Sequence, residues 1–486
     1  MRVLENLEPN RVFYYFEEIA NIPHGSRDTK RISDYLVDFG HRYHLETYQD
    51  EMNNVILIKE ATAGYENAEP IIIQGHMDMV CEKEADSDIN FETDPLSLYI
   101  DGDFVKAEKT TIGGDDGIAV AYALAILESD TISHPRLEVV ITVDEEIGML
   151  GAFEMDLSKL KGRRMLNIDS DDEGHFLTGC AGGMSVISNI PVRREAISGL
   201  GLEVCITGLE GGHSGAEIDK ERGNANILMG RLFASLKEEM PFSIVHFAGG
   251  TKDNAIPRES KALLVIDEGD KEIAKNIIEE VCKQLQKEHS VTDPNVTIQT
   301  NFITEEKSYQ ALDASSVMKI IFFLRETPDG MLHMSKSIKG LVETSLNLGI
   351  LELQEDALHM VTSIRSSVST RKEDLKNRLT MLIEFLGGEV NIEGDYPAWE
   401  YNSISPLRDE IEAVYTDMFG EKPIFEAIHA GLECGIFYEK LSGLDCVSFG
   451  PNNFDIHTPK ERLSISSTKR VWDFIIKFLE QTNETR

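Results

Sequence analysis

The sequence predicts an α/β fold, a mostly parallel sheet with helices on both faces, into which an α+β domain is inserted. Three observations carry this. Over the first 185 or so residues, short apolar runs suited to buried strands alternate with helical patterns. From about residue 187 the pattern changes to antiparallel-type strands with long amphipathic helices, and after about residue 392 the first style returns. At 486 residues the chain also exceeds the size at which a single core stops growing. The simplest reading is an α/β domain built from residues 1–186 and 393–486, with residues 187–392 forming an insert of two α+β units.

The elements follow in order. Residues 9–20 and 28–41 read as amphipathic helices, and NVILI (54–58) and IIIQG (71–75) as strands. YIDGDFVKA (99–107) sets an Asp-Gly turn between alternating residues, the signature of a hairpin. GIAVAYALAILES (117–129) is apolar all round and reads as a buried helix; RLEVVITV (136–143) and RRMLNI (163–168) read as strands. Strands apolar on both faces and separated by helices indicate a parallel sheet covered on both sides. In the insert, SKALLVID (260–267) and DALHMVTSIRSS (356–367) are strands, each followed by an amphipathic helix. Beyond it come a helix at 407–419 and the strand DCVSFG (445–450).

Composition excludes several classes. A formal charge of −38 would repel nucleic acid and anionic membrane, so neither is expected as a partner; bound divalent cations would neutralise part of it. No run of 18 apolar residues spans a membrane, and MRVLENLEPNRVFYYFEEIA lacks the apolar core of a secretory signal. Six cysteines without CxxC spacing read as reduced thiols of a cytoplasmic protein.

The chemistry gathers where open α/β sheets place their sites, just past the carboxyl ends of parallel strands. IIIQG leads to His76 and Asp78, RLEVVITV to Asp144, Glu145 and Glu146, RRMLNI to Asp169, and DCVSFG through PNNFD to His457. Between them GGDDG carries Asp115 and Asp116 into a helix. Imidazole and carboxylate are the donors zinc takes, and two ions about 3.5–4 Å apart need a bridging carboxylate. Two residues apart on a continuing strand, His76 and Asp78 share a side, so Asp78 is expected to fix the tautomer of a metal-bound His76. Each piece alone reads more simply: His76 as a buried histidine, GGDDG or Asp169 as a helix cap, the acidic triplet as a solvated turn. DSDDEG (169–174) is no calcium loop, since its twelfth position is Cys180.

QGHMDMV, TTIGGDDGIAV, TVDEEIGMLGA, NIDSDDEG, GLEGGHSGAEI and GPNNFDIHTP resemble the di-zinc aminopeptidase/carboxypeptidase/dipeptidase superfamily, and within it the branch that cleaves Xaa-His dipeptides. The resemblance runs over essentially the whole chain. It implies two Zn²⁺ per chain, with Co²⁺ or Mn²⁺ as substitutes: His76 and Asp169 on one, Glu146 and His457 on the other, Asp115 bridging. It implies that Asp78 orients His76 and that Glu145 is the general base, taking a proton from the attacking water and passing it to the leaving amine. It implies a cis peptide between Asp115 and Asp116. The insert becomes a lid, with His213 stabilising the oxyanion and Asn254 and Arg365 binding the substrate's backbone and terminal carboxylate. The implied activity is cytoplasmic hydrolysis of short unblocked dipeptides such as β-alanyl-histidine, by a monomer or homodimer. A tripeptidase, aminoacylase or carboxypeptidase on the same scaffold is the alternative, and a non-catalytic metal-binding protein a more distant one. HAGLECG (429–435) departs from the Gly-Gly-Thr-Asp-type loop of many relatives and leaves the roles of His429 and Glu433 open. Asp144 keeps the solvated-turn reading.

Overall fold

The apolar runs at 71–75, 136–143, 163–168 and 445–450 become the centre of one sheet in the computed structural model, which describes residues 2–482. The chain forms two compact units. The first comprises Met1–Gly179, Tyr401–Ala427 and Leu432–Arg486, the second Cys180–Glu400 and Ile428–Gly431. The insert thus begins at 180 and ends at 400, and takes in a four-residue piece of the returning chain that no sequence signal marks.

The sheet of the first unit has eight strands, in the order Glu46–Gln49, Val55–Lys59, Leu137–Thr142, Ile71–His76, Arg164–Asn167, Asp445–Ser448, His175–Cys180, Ile424–Ile428. Leu137–Thr142, Ile71–His76, Arg164–Asn167 and Asp445–Ser448 are mutually parallel. Their register decides where the chemistry falls. His76 lies level with Thr142, Gln74 with Asn167, and Asn167 with Ser448, so all four strands end on one edge. Val55–Lys59 differs from the parallel reading: it pairs antiparallel with Leu137–Thr142. An apolar run reports burial on both faces but carries no information about direction.

Helices cover the sheet. Gly114–Glu128 is buried through nearly its whole length because residues 117–127 offer no polar face, and it packs in one core with Phe13, Phe16, Leu166 and Phe474. Pro406–Phe419 starts with proline in its first turn, the Ser405 hydroxyl accepting from Arg408 N–H, and stops at Gly420 (φ +76°). Leu98–Asp101 and Phe104–Ala107 form the expected hairpin. It joins a separate four-stranded sheet with Asn453–Phe454 and Arg462–Ser464, and these last two are the arms of the loop that carries His457.

The second unit holds a nine-stranded sheet, every pairing antiparallel, running from Thr297–Leu312 to Glu389–Tyr396. Ala225–Glu239, Lys271–Glu288, Ala314–Glu326 and Ser369–Phe385 are its long helices. The pairing of Ser243–Gly249 with Val342–Leu353 makes the sheet continuous across the insert. Its core is its own, built around Phe233, Phe247, Leu264, Leu348 and Ile364.

Candidate metal centre

His76 closes its strand with 1% of its surface exposed. The glycine before it is forced by space: a Cβ on Gly75 would lie 2.4 Å from Asp116 Oδ2 and 2.5 Å from Ala119 Cβ. The ring Nδ1 of His76 lies 2.9 Å from the carbonyl oxygen of Asp78, which leaves Nε2 to face the site. That Nε2 lies 3.0 Å from Asp115 Oδ1 and 3.6 Å from Asp169 Oδ1. On the far side of Asp115, Oδ2 lies 3.1 Å from His457 Nε2, which is also 3.1 Å from Glu146 Oε1 and 3.0 Å from Glu146 Oε2. The Asp115–Asp116 peptide is cis.

These spacings suit shared metal ions. Bonds of about 2.1 Å in a tetrahedron place ligand atoms about 3.4 Å apart, and the two clusters bracket that value. Asp115 offers one oxygen to each cluster, the geometry of a bridge. Asp116 is a rival near His76 and Asp169, but its Oδ2 already accepts the His76 N–H at 3.2 Å.

The electrostatics point the same way. Burial opposes charge on His76, yet Asp115, Asp169 and Asp78 outweigh it and hold the imidazolium pKa well above its ordinary value. His457 is pushed up to about 11 by Asp115 and Glu146. Burial raises Glu145, with Asp169, Glu433 and Glu146 adding to it, and Asp171 is pushed up to about 8 by burial and by Asp115 and Asp169. Carboxylates this crowded, with two imidazoles between them, are short of positive charge. Bound divalent ions are the usual remedy for such a buried surplus.

The Asp78 carboxylate stays beside the His76 ring, its Oδ1 3.6 Å from Nδ1, while the Asp78 backbone carbonyl makes the shorter contact. Because strand geometry stops at His76, the Asp78 side chain turns to accept from the Ser26 hydroxyl (2.8 Å) and the Glu145 and Glu146 amides (3.1 and 3.4 Å). It therefore fixes the loop that presents both glutamates. One expectation about the neighbouring acids, that for Asp144, needs correction. Asp144 is not solvated: it is 8% exposed, adopts φ +55° and accepts the Arg27 N–H at 2.6 Å. A turn pressed against the segment at 25–28 buries the first acid of the triplet.

Glu145 and Glu146 diverge. Glu146 meets His457, whereas Glu145 Oε2 stands 4.0 Å from His76 Nε2, beside the first cluster. Below them lies a network that sequence reasoning left out. Glu433, fully buried, accepts from Gln74 Nε2 (2.6 Å) and Thr142 Oγ1 (2.7 Å), and Gln74 Oε1 accepts from Asn167 Nδ2 (2.5 Å). The network ties together the strands that end in His76, the Glu145 loop and Asp169. The signal was present: Gln74 and Asn167 are uncharged polar residues inside apolar strands, where burial demands partners.

In the second unit His213 lies in the short strand Gly212–His213, paired with Ala255–Ile256. Its Nδ1 accepts the Gly215 and Ala216 amides at 3.1 and 3.0 Å, so the neutral ring carries its proton on Nε2. Burial and Arg365 lower its pKa and keep it neutral. Asn254 is exposed, and its carbonyl accepts the Ser214 N–H. Arg365 donates from Nη1 to the Tyr396 hydroxyl (2.9 Å), while its buried Nε has no hydrogen-bond partner among the described residues. His429 belongs to this unit: its Nε2 is 2.7 Å from Ser345 Oγ, and burial and Arg365 lower its pKa to about 3.

Residues 72–481 match peptidase family M20/M25/M40, and the chain belongs to that family. It is a peptide hydrolase. Over 484 residues, 99% of each chain, it is 35% identical to the cytosol non-specific dipeptidase of Escherichia coli K12. The crystal structure of aminoacylhistidine dipeptidase from Vibrio alginolyticus matches with a TM-score of 0.92 at 34% identity, over 98% of this chain and 97% of that one. An aminopeptidase from Bacillus cereus shares the fold at a TM-score of 0.58 and 14% identity, over 98% of this chain and 99% of that one. Among the described residues no helix is long and apolar enough to cross a membrane.

Proposed function

We propose that the chain is a cytosolic di-zinc dipeptidase acting on short unblocked dipeptides, Xaa-His substrates such as β-alanyl-histidine among them. The observation that carries this is the double cluster about Asp115, with His76 and Asp169 on one side and Glu146 and His457 on the other. Full-length likeness to a cytosol dipeptidase and to an aminoacylhistidine dipeptidase supports the substrate class and the compartment.

His76, Asp169, Asp115, Glu146 and His457 would hold the two ions. Ions so bound supply Lewis acidity, making water available as a nucleophile near neutral pH and polarising a carbonyl. Glu145, buried and beside the first cluster, takes the proton of the attacking water and returns it to the leaving amine. Asp78 keeps Glu145 in place through its amide. His213 presents Nε2–H, the donor form needed to steady a developing oxyanion. The planar fork of Arg365, with Nε unpartnered, suits a terminal carboxylate, and Asn254 the substrate backbone.

The name of the Escherichia coli relative favours a broad dipeptide range over strict Xaa-His selectivity. A hydrolysis panel decides: free dipeptides with and without C-terminal histidine, tripeptides, N-acetylated and C-amidated dipeptides, and N-acyl amino acids. Free dipeptides should be cleaved at least tenfold faster than the rest. Preference for tripeptides or N-acyl amino acids would replace this reading with a tripeptidase or aminoacylase.

A further inference from the structure

We propose that Glu461 is the positioning residue that holds the His457 half of the metal centre in register with the bridging Asp115; this rests on the ligand reading above. Glu461 follows His457 by four residues, in the loop between Asn453–Phe454 and Arg462–Ser464, and is 3% exposed. A carboxylate buried to that degree is tolerated only if its oxygens are satisfied. Here they are satisfied by one loop. Oε2 accepts the amides of Ile112 (2.8 Å) and Gly113 (3.2 Å), and Oε1 those of Gly114 (2.9 Å) and Asp115 (3.3 Å). Asn453 Nδ2 adds a fifth donor at 3.1 Å.

Those four successive amides lead into helix Gly114–Glu128, whose first turn has orphan N–H groups. A local Ser, Thr or Asp would be the ordinary cap. The chain instead has Gly113 at that position, with no side-chain cap, and the anion arrives from the His457 loop. Gly114 is required by the same contact, since a Cβ there would lie 2.8 Å from Asn453 Nδ2 and 3.0 Å from Glu461 Oε1.

The consequence is specific to one half of the centre. His76 ends one strand and Asp169 follows the adjacent one by two residues, so both are placed by the register of the sheet. His457 has no such support: it sits on a loop at φ +58°, its side chain 47% exposed. Glu461 ties that loop to the amide of Asp115, the residue whose Oδ2 must meet His457 Nε2. Replacing one carboxylate oxygen by an amide group, as in Glu461→Gln, turns an N–H donor toward backbone N–H groups. The two loops then lose their common anchor.

The test is a zinc titration of metal-stripped protein against a chromophoric chelator, with Co²⁺ absorption read in parallel. Wild type should show two binding constants, and His457→Ala should lose one ion, which marks the constant of its side. Glu461→Gln should weaken that same constant by about 10–100-fold, the usual effect of losing a group that orients a ligand, and change the other by less than threefold. Asn453→Ala, which removes one of the donors, should shift the same constant in the same direction by less, and carries the test if Glu461→Gln does not fold. Glu138→Gln is the comparator: this buried carboxylate also gathers backbone amides, of Lys161 and Gly162, but near the opposite end of its strand. It should lower the melting temperature without changing either zinc constant. Wild-type constants in folded Glu461→Gln, or in Asn453→Ala where Glu461→Gln does not fold, overturn the proposal. Equal weakening of both ions, or an equal effect of Glu138→Gln, does so too. A wild type that binds other than two ions, or His457→Ala retaining both, would overturn the ligand reading instead.

Discussion

Glu145→Gln separates the proposed proton carrier from the proposed ligands. The substitution keeps size and shape but removes the ability to take and return a proton. The carboxylate stands 4.0 Å from His76 Nε2 and close enough to the first cluster to compete as a ligand, so the variant discriminates two roles. General acid–base catalysis contributes about 10²–10⁴-fold, which at about 1.36 kcal/mol per decade is a rise in barrier of roughly 2.7–5.4 kcal/mol. Folding should not suffer. Burial and the negative charges of Asp169, Glu433 and Glu146 all disfavour the ionised carboxylate, and a neutral amide relieves them. The assay is kcat on a free dipeptide, with zinc counted by elemental analysis and stability by thermal melting. The reasoning predicts kcat down by about 10²–10⁴-fold, zinc content unchanged and melting temperature equal or higher in the metal-stripped protein. Activity within tenfold of wild type, or zinc lost in proportion to activity, would refute it.

Three further predictions follow from the same geometry. His457→Ala and Glu146→Ala should each lower zinc content by about one ion while the fold persists, because the two meet in the second cluster; full zinc content by elemental analysis would refute the ligand map. Arg365→Lys should raise KM for free dipeptides about tenfold or more, since a point charge cannot replace a fork, and should leave C-amidated peptides unaffected; kinetics on both substrate types checks it. Glu433 has a folded pKa of about 8, raised by burial, above an ordinary value of about 4.3. Its contribution to stability is complete below about pH 4.3 and is lost as pH rises through about 8. In metal-stripped protein, Glu433→Gln should therefore gain in melting temperature relative to wild type between pH 5 and pH 8; a gap that closes or reverses would show Glu433 to be ionised in the fold.

Much of this was legible in the residues. Strand runs such as IIIQG and RLEVVITV declare burial on both faces, and the acids and histidines follow each run by one to a few positions. Parallel register then brings them to one edge, so His76, Asp78, Asp115, Asp116, Glu145, Glu146, Asp169 and His457 could be gathered before any coordinates, while the choice of ligands among them rested on the family resemblance. What the sequence leaves out depends on where a side chain turns once regular structure stops. Asp78 leaves strand geometry one step after His76 and gives its carboxylate to the Glu145 loop. Asp144 is buried by a segment more than a hundred residues away. Glu461 looks like one more surface acid in a chain full of them, because its partners are backbone amides, which no residue type advertises. The direction of Val55–Lys59 is hidden for a related reason: composition records how deeply a strand lies, not which way it runs.

The central claim is that two metal ions held about Asp115 make this chain a dipeptidase. The most direct measurement is hydrolysis of β-alanyl-histidine and a second free dipeptide by chelator-stripped protein as zinc is returned. Activity should be absent at first, rise with added zinc and level off at two equivalents per chain. Full activity in stripped protein, or a plateau reached without any dependence on zinc, cobalt or manganese, would contradict the account.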